Sequence, residues 1–334
     1  MTTLVLFGVS LLIVVVASEL FTNAVEWAGW RLGLGSGATG SLLAALGTAL
    51  PETIVPVVAL VGRRPDANDV AIGGVVGAPF LLLTLGMGVT GLAVWLRRAD
   101  PVLQVDRPQV RRDLGTFAAG AGVLGIGLLL PLPGRIVCAV VLAGIYARHI
   151  VATLGGDEAS DDMPEPLHLT RFRDGAPPMW AVAVQLLAAV CALIVGADLF
   201  VEGLNRAAVS LGISALVLAV VPIPVATELP ETLNSVFWVR SRDDRLALGN
   251  VTGAAAFQAC IPGIIGVVFT PWRLGPAAVI SAIVTFVTAA YLMALLVDGR
   301  ARGTRLMLCA VPWVGYVVLV VLLGSRLGGA PPAG

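Results

Sequence analysis

The sequence contains no lysine: all 21 basic residues are arginine, and 21 acidic residues bring the formal charge to zero. A chain balanced in this way lacks the basic excess that holds a phosphate backbone, which argues against a nucleic-acid partner. Charge of either sign is scarce, at 13% of residues, where soluble domains carry about 25%. With 57% of residues apolar and a mean hydropathy of +0.93, a water-soluble globule is excluded. Cysteine is limited to Cys138, Cys191, Cys260 and Cys309, each single and inside an apolar run, so no disulfide framework is expected. The two histidines, His149 and His168, stand near or in loops and read as solvated. No Ser/His/Asp set, Cys/His metal cluster or phosphate-binding loop is visible. An enzyme is therefore not expected, and neither is a cofactor.

What the sequence does have is long apolar runs, of about the 18–20 residues that cross a bilayer as a helix. Dividing the hydropathy at charge clusters and Gly/Pro punctuation predicts ten helices, near 3–29, 37–62, 69–96, 112–131, 135–153, 178–205, 212–239, 245–270, 275–297 and 305–325. The expected fold is all-α and polytopic, with the lipid bilayer as its solvent. The first apolar run has no basic flank or small-residue cleavage site, so it reads as a retained span. The acidic, proline-containing stretch 154–177 reads as a linker between five-helix halves, 1–153 and 178–334. Connections 1–2, 3–4, 5–6, 7–8 and 9–10 hold 15 of the arginines and the other side 6. The positive-inside rule then makes the linker cytoplasmic and leaves both termini outside. Arginine-only basicity and short loops suit a bacterial inner membrane.

The halves repeat each other. At an offset of 179, Glu19 falls on Asp198, Gly33 on Gly212, and TALPET at 48–53 on TELPET at 227–232. After a three-residue shortening, DVAIGGVVGA at 69–78 falls on RLALGNVTGA at 245–254. Since five is odd, the second copy enters the membrane from the opposite side, and the halves are inverted repeats of the kind found mostly in secondary transporters.

Each repeat sets proline beside glutamate, Pro51–Glu52 and Pro230–Glu231, well inside a span. Proline removes a donor and crowds the carbonyl four residues back, which frees the oxygens near Gly47 and Ala226. An acid at such a depth is disfavoured by about 2.5–3.5 kcal/mol on insertion scales. Two at equivalent positions point to a dianionic site on the pseudo-two-fold axis, where Thr48 and Thr227 hydroxyls and backbone carbonyls would join Glu52 and Glu231. Threonines can equally bond the preceding turn. Hard oxygen ligands of this kind suit Ca²⁺. Glu228, one turn before Glu231, adds a third carboxylate; two so close in low dielectric cannot both ionise easily, so one is expected to keep a proton unless a divalent cation is bound. Glu19, Glu26, Asp198 and Glu202 lie nearer the helix ends and read as solvated.

GTALPE at 47–52 and ATELPE at 226–231, each followed by a short charged turn and then AIGGVVGA or ALGNVTGA, resemble the two alpha repeats of the sodium/calcium exchanger (cation/Ca²⁺ antiporter) superfamily. The resemblance implies a ten-helix antiporter in which the motif glutamates, here Glu52 and Glu231, bind Ca²⁺ and exchange it for Na⁺ or H⁺. It also implies that Thr48 and Thr227, the backbone oxygens of Ala45 and Pro224, and Gln258 line the cation sites. The chain departs from that pattern: the serine usual after the motif threonine is Ala49 in one repeat and Glu228 in the other. The GSN segment has become Gly77-Ala78-Pro79 and Gly253-Ala254-Ala255, and a polar side chain is lost to Leu82. Sodium sites use those hydroxyls and amides, so H⁺ is favoured slightly over Na⁺. The same losses leave a second reading, a family member that binds cations and senses or regulates without transport.

Overall fold

In hydrocarbon a backbone N–H or C=O has no water to bond, so an apolar chain satisfies its polar groups within its own helix. The computed structural model describes residues 2–31, 51–63, 67–97, 101–154, 164–170, 175–211, 220, 224, 228–242 and 244–327. The first half contains α1 (Thr2–Arg31), α2 (Pro51–Val61), α3 (Ala67–Leu81), a π turn (Leu82–Gly86) leading into α4 (Met87–Leu96), β1 (Val102–Gln104), α5 (Arg107–Gly127) and α6 (Leu132–Leu154). The second contains α7 (Met179–Leu211), α8 (Leu229–Ser241), α9 (Asp244–Phe269), α10 (Pro276–Leu296), β2 (Arg300–Arg302), α11 (Gly303–Met307) and α12 (Ala310–Leu327). Among the described residues, seven helical stretches are long and apolar enough to cross a membrane, with α3–α4 and α11–α12 each forming one stretch. The architecture is the expected inverted repeat of about ten helices. Residues 37–50 and most of 212–227, which belong to the second and seventh expected spans, lie outside the described residues.

Two boundaries differ from the sequence reading for local reasons. Helix α5 starts at Arg107 rather than near 112, because Asp106 caps it, accepting from Gln109 N at 3.3 Å, and Pro108 fits the first turn. Helix α8 does not run through from 212: Glu228 sits outside helical geometry (φ −88°, ψ 0°) and the helix opens behind it at Leu229. Pro230 therefore lies in the first turn, where a missing N–H costs nothing, and not at a kink in a continuous helix.

Inversion is visible where α1 meets its repeat mate α7. Near the start of α7, Gln185 donates to Leu20 O and to Asn23 Oδ1, each at 2.9 Å. Farther along α7, Gly196 packs on Ile13 and Val14, so the equivalent helices run antiparallel. The connections sort into two faces. On one, Arg97 at the end of α4 pairs with Asp244 at the start of α9 (2.8 Å), and Arg112 in α5 donates to Ala152 O in α6 (3.2 Å). On that face too, β1 and β2 pair antiparallel, Val102 opposite Arg302 and Gln104 opposite Arg300. On the other face, Arg135 at the start of α6 donates to Thr270 O beyond α9 (2.7 Å), and Trp272 Nε1 donates to Leu124 O in α5 (3.0 Å).

Burial separates core helices from lipid-facing ones. Within the most apolar 18 residues of each span, 89% are buried in α3–α4 and 72% in α9, whereas the other long spans lie between 28% and 39%. Helix α9 can sit inside because Ala254, Ala255 and Ala256 let neighbours approach closely, which drives helix packing where lipid is as apolar as leucine. A polar lock holds it there: Thr252 Oγ1 donates to Asp113 Oδ2 of α5 at 2.7 Å. His149 of α6 belongs to the same cluster, sharing a hydrogen bond with Thr116 Oγ1 (3.0 Å) and lying 3.9 Å from Asp113 Oδ1. The expectation that His149 is solvated is corrected: it is 7% exposed, because α6 extends past it and turns it onto α5. His168 is half-buried, 3.7 Å from Glu19.

The Arg97–Asp244 pair is nearly dry, with side chains 10% and 7% exposed, and Asp244 Oδ2 also accepts from Gln104 N at 2.8 Å. Asp244→Ala strands a buried guanidinium and is expected to cost about 3 kcal/mol. Arg245→Ala removes a partner of Asp106 that is 68% exposed and should change stability by less than about 0.5 kcal/mol. Unfolding temperatures of the purified protein in detergent distinguish the two.

Candidate functional site

The site forms where α2, α8 and α9 meet. Glu231 occupies the first turn of α8, where the partial positive charge of the helix end favours a carboxylate and offsets part of its burial. Glu52 takes the matching place in the first turn of α2 as described. Glu228 stands at the N-cap of α8, and its N–H donates to Pro224 O at 2.8 Å. That bond engages one lone pair of the carbonyl expected to serve as a ligand. All three acids are buried, Glu52 at 5% exposure and Glu228 and Glu231 at 0%. Glu228 is in electrostatic contact with both Glu52 and Glu231. From α9, Gln258 Nε2 donates to Glu228 Oε1 at 2.7 Å, and its buried Oε1 accepts no hydrogen bond.

The structure thus brings Glu52, Glu228, Glu231 and Gln258 together, with Pro224 behind Glu228. Thr48, Thr227 and Ala45 lie outside the described residues. Among the described residues no three acidic, histidine or cysteine side chains make a ready metal cage, so ligation here needs hydroxyl, amide or carbonyl oxygens as well. Of the acids read as solvated, Glu19 is 69% exposed and Glu202 is paired with Arg206 at 2.8 Å.

The two repeats build the site unequally. In the second, Asn250 Nδ2 donates to Glu231 O (2.9 Å) and Ser235 Oγ (3.1 Å), while Ser235 Oγ donates to Glu231 O (3.0 Å) and Ala247 O (3.1 Å). This clasp pins the first turn of α8, which carries Glu231, to α9, which carries Gln258. The corresponding residues of the first repeat are Pro56 and Gly74, which make an apolar contact instead. Sequence reasoning missed Ser235 and Asn250; the signal was the mismatch between otherwise matching repeats.

A second inequality follows from Pro79. It has no N–H to give the preceding turn, and three residues on the helix widens into the π turn Leu82–Gly86, a form frequent at functional sites. Thr84 bonds Phe80 O there, and Gly86 lies beside Thr232 Oγ1, next to Glu231. The equivalent stretch of α9 from Gln258 is ordinary α-helix. Leu82 thus presents hydrocarbon where the second repeat presents an amide.

Buried acids from two inverted halves, with a break in the chain at Glu228, fit the architecture found in secondary transporters. The chain belongs to the sodium/calcium exchanger family, whose model matches residues 2–155 and 181–324. The candidate antiporter CaxA of Alkalimonas amylolytica is 26% identical over 280 residues, 83% of each chain. The inner membrane protein YrbG of Escherichia coli K12 is 25% identical over 321 residues, 94% of each chain. Among solved structures, the H⁺/Ca²⁺ exchanger CAX superposes with a TM-score of 0.77 at 18% identity, over 96% of this chain and 86% of that one. The protein is an integral, multi-pass membrane protein of a cation-exchanger family.

Replacing Asn250 by the glycine of the first repeat removes the two hydrogen bonds that Asn250 donates to the clasp and is expected to cost about 1–2 kcal/mol. Ser235→Ala and Asn250→Gly should be non-additive, because both act on the Glu231 carbonyl. Thermal unfolding of the two single variants and the double variant measures the coupling; strict additivity would mean that the clasp is not one unit.

Proposed function

We propose that the protein is a secondary antiporter that carries Ca²⁺, or a related divalent cation, in exchange for H⁺ by alternating access. Na⁺ is the alternative counter-ion. The observation that carries the proposal is the convergence of three buried acids and one amide, with both charges acting on Glu228 negative. An empty site with its acids ionised is strongly disfavoured in low dielectric, and a divalent cation or protons relieve it. Only a neutralised site then permits occlusion and crossing, and this condition enforces exchange. Glu52 and Glu231 are the principal ligands, joined by Thr48, Thr227 and the Ala45 and Pro224 carbonyls. Gln258 completes the second-repeat side.

The preference for protons rests on what replaces neutral ligands. Ala49 and Leu82 offer no oxygen, and Glu228 stands where a hydroxyl is usual. A third carboxyl is a proton carrier, whereas a sodium shell needs neutral oxygens as well. Helices α1 and α7, packed antiparallel on each other, would rock across the core formed by α3, α4, α8 and α9. The halves 1–153 and 178–334 would be the two repeats, with 154–177 a cytoplasmic linker, both termini outside and the protein in a bacterial inner membrane. The arginine distribution supports that orientation, as the inner-membrane relative supports the location.

In proteoliposomes, Glu52→Gln and Glu231→Gln are each expected to weaken divalent uptake by about 30-fold or more, as for the loss of one partner of a buried charged contact. Glu228→Ser, which restores the hydroxyl, should reduce the response to a pH gradient. Unchanged flux in the first two variants would end the site assignment. Flux that follows a sodium gradient and ignores a pH gradient would end the proton preference.

A further inference from the structure

A second concave site lies about the end of α4, away from the acids. Gly91 and Gly303 let the short helix α11 press onto α4: a Cβ on Gly303 would stand 2.6 Å from both Gly91 O and Trp95 N. Gly303 N also donates to Pro101 O at 3.0 Å, which ties the chain entering β1 to the same corner. Between these segments is a cavity of about 550 Å³ lined by Trp95, Leu96, Pro101, Val102, Arg302 and Thr304. That is within the size range of small-ligand sites.

The walls differ in chemistry. Trp95 and Leu96 are 49% and 57% exposed at the last turn of a stretch long and apolar enough to cross a membrane. Opposite them the alternation of β2 buries Ala301 at 2% exposure and turns Arg300 and Arg302 to the other side of the ribbon. Arg305, one turn into α11, is exposed as well. These three guanidiniums make no ion pair among the described residues. By contrast, Arg97 and Arg245 on the same face are paired with Asp244 and Asp106, and Arg107 donates to Asp298 O. In the sequence flanking this corner, Asp100 and Asp298 stand against Arg98, Arg300, Arg302 and Arg305, so basic residues are in excess.

We infer that this corner binds the headgroup of an anionic phospholipid, with Arg302 and Thr304 on the phosphate and Trp95 and Leu96 along the acyl chain. The height fits: α4 ends and the α11–α12 span begins here, where hydrocarbon gives way to headgroups and where tryptophan and arginine are favoured. Guanidiniums recognise phosphate with paired charge-assisted hydrogen bonds. A soluble phosphate would gain nothing from the exposed indole and leucine, so the source of the phosphate is a lipid. The inference is independent of what the protein transports.

The test is native mass spectrometry of the full-length protein in detergent, with phosphatidylglycerol and phosphatidylcholine added together. Preferential retention of phosphatidylglycerol is expected. The variant with Arg300→Gln and Arg302→Gln should weaken its binding by about tenfold or more. A control with Arg111→Gln and Arg148→Gln, exposed arginines elsewhere, should not. Excess inorganic phosphate should fail to displace the lipid. Equal retention of the two lipids, equal weakening in the control, or displacement by phosphate would each overturn the inference.

Discussion

Burying a carboxylate without a counter-charge is among the costliest acts a folded chain performs, and here three carboxyls are buried side by side in a membrane protein. Other features of the fold bear on that cost. Glu231 lies at a helix end whose dipole favours negative charge. Glu228 takes a hydrogen bond from Gln258, and Asn250 with Ser235 holds the backbone of Glu231. None of these supplies a positive charge. In the proposed exchange a cation or a proton would relieve that burial, so instability of the empty site and affinity of the loaded one would have one physical origin.

Inversion is what the proposed alternating access would use. Helices α1 and α7 pack antiparallel on each other, as inverted repeats require, and two related halves would offer two nearly equivalent ways of closing. The sequence has not kept the halves equal. Pro56 and Gly74 face each other where the second repeat has Ser235 and Asn250; Leu82 stands where it has Gln258; and only the second carries the additional acid Glu228. Polar side chains at the site therefore come mostly from the second repeat, while among the described residues the first contributes Glu52 and a π turn. A site with few neutral oxygens and one more ionisable group is what the proposed proton coupling would call for.

Much of this was legible in the chain itself. Helix number and inversion follow from apolar runs and from a repeat that matches even at its prolines, because bilayer thickness and backbone satisfaction leave few alternatives. The equivalence of Glu52 and Glu231 was readable from the same repeat, and in the structure both act on Glu228. Glu228 was legible through its one-turn spacing from Glu231. The break at Glu228 was not, since a proline at the first turn and a proline at a kink look alike until the preceding residue's dihedral angles are known. His149 was misread because a histidine near a predicted helix end looks solvated; only the packing of α6 on α5 reveals Thr116 and Asp113 as its neighbours. The Asn250–Ser235 clasp joins two helices through a backbone carbonyl, and a carbonyl leaves no trace in residue identity.

The central claim concerns where a cation sits. Anomalous diffraction from crystals soaked with Sr²⁺ or Mn²⁺ addresses it most directly, because it locates the ion without assuming its ligands. The expected result is one principal peak between the Glu52 and Glu231 carboxylates, within about 2.0–2.7 Å of oxygens from both halves of the chain. A peak bound by only one half, or strong density elsewhere with these acids left bare, would contradict it.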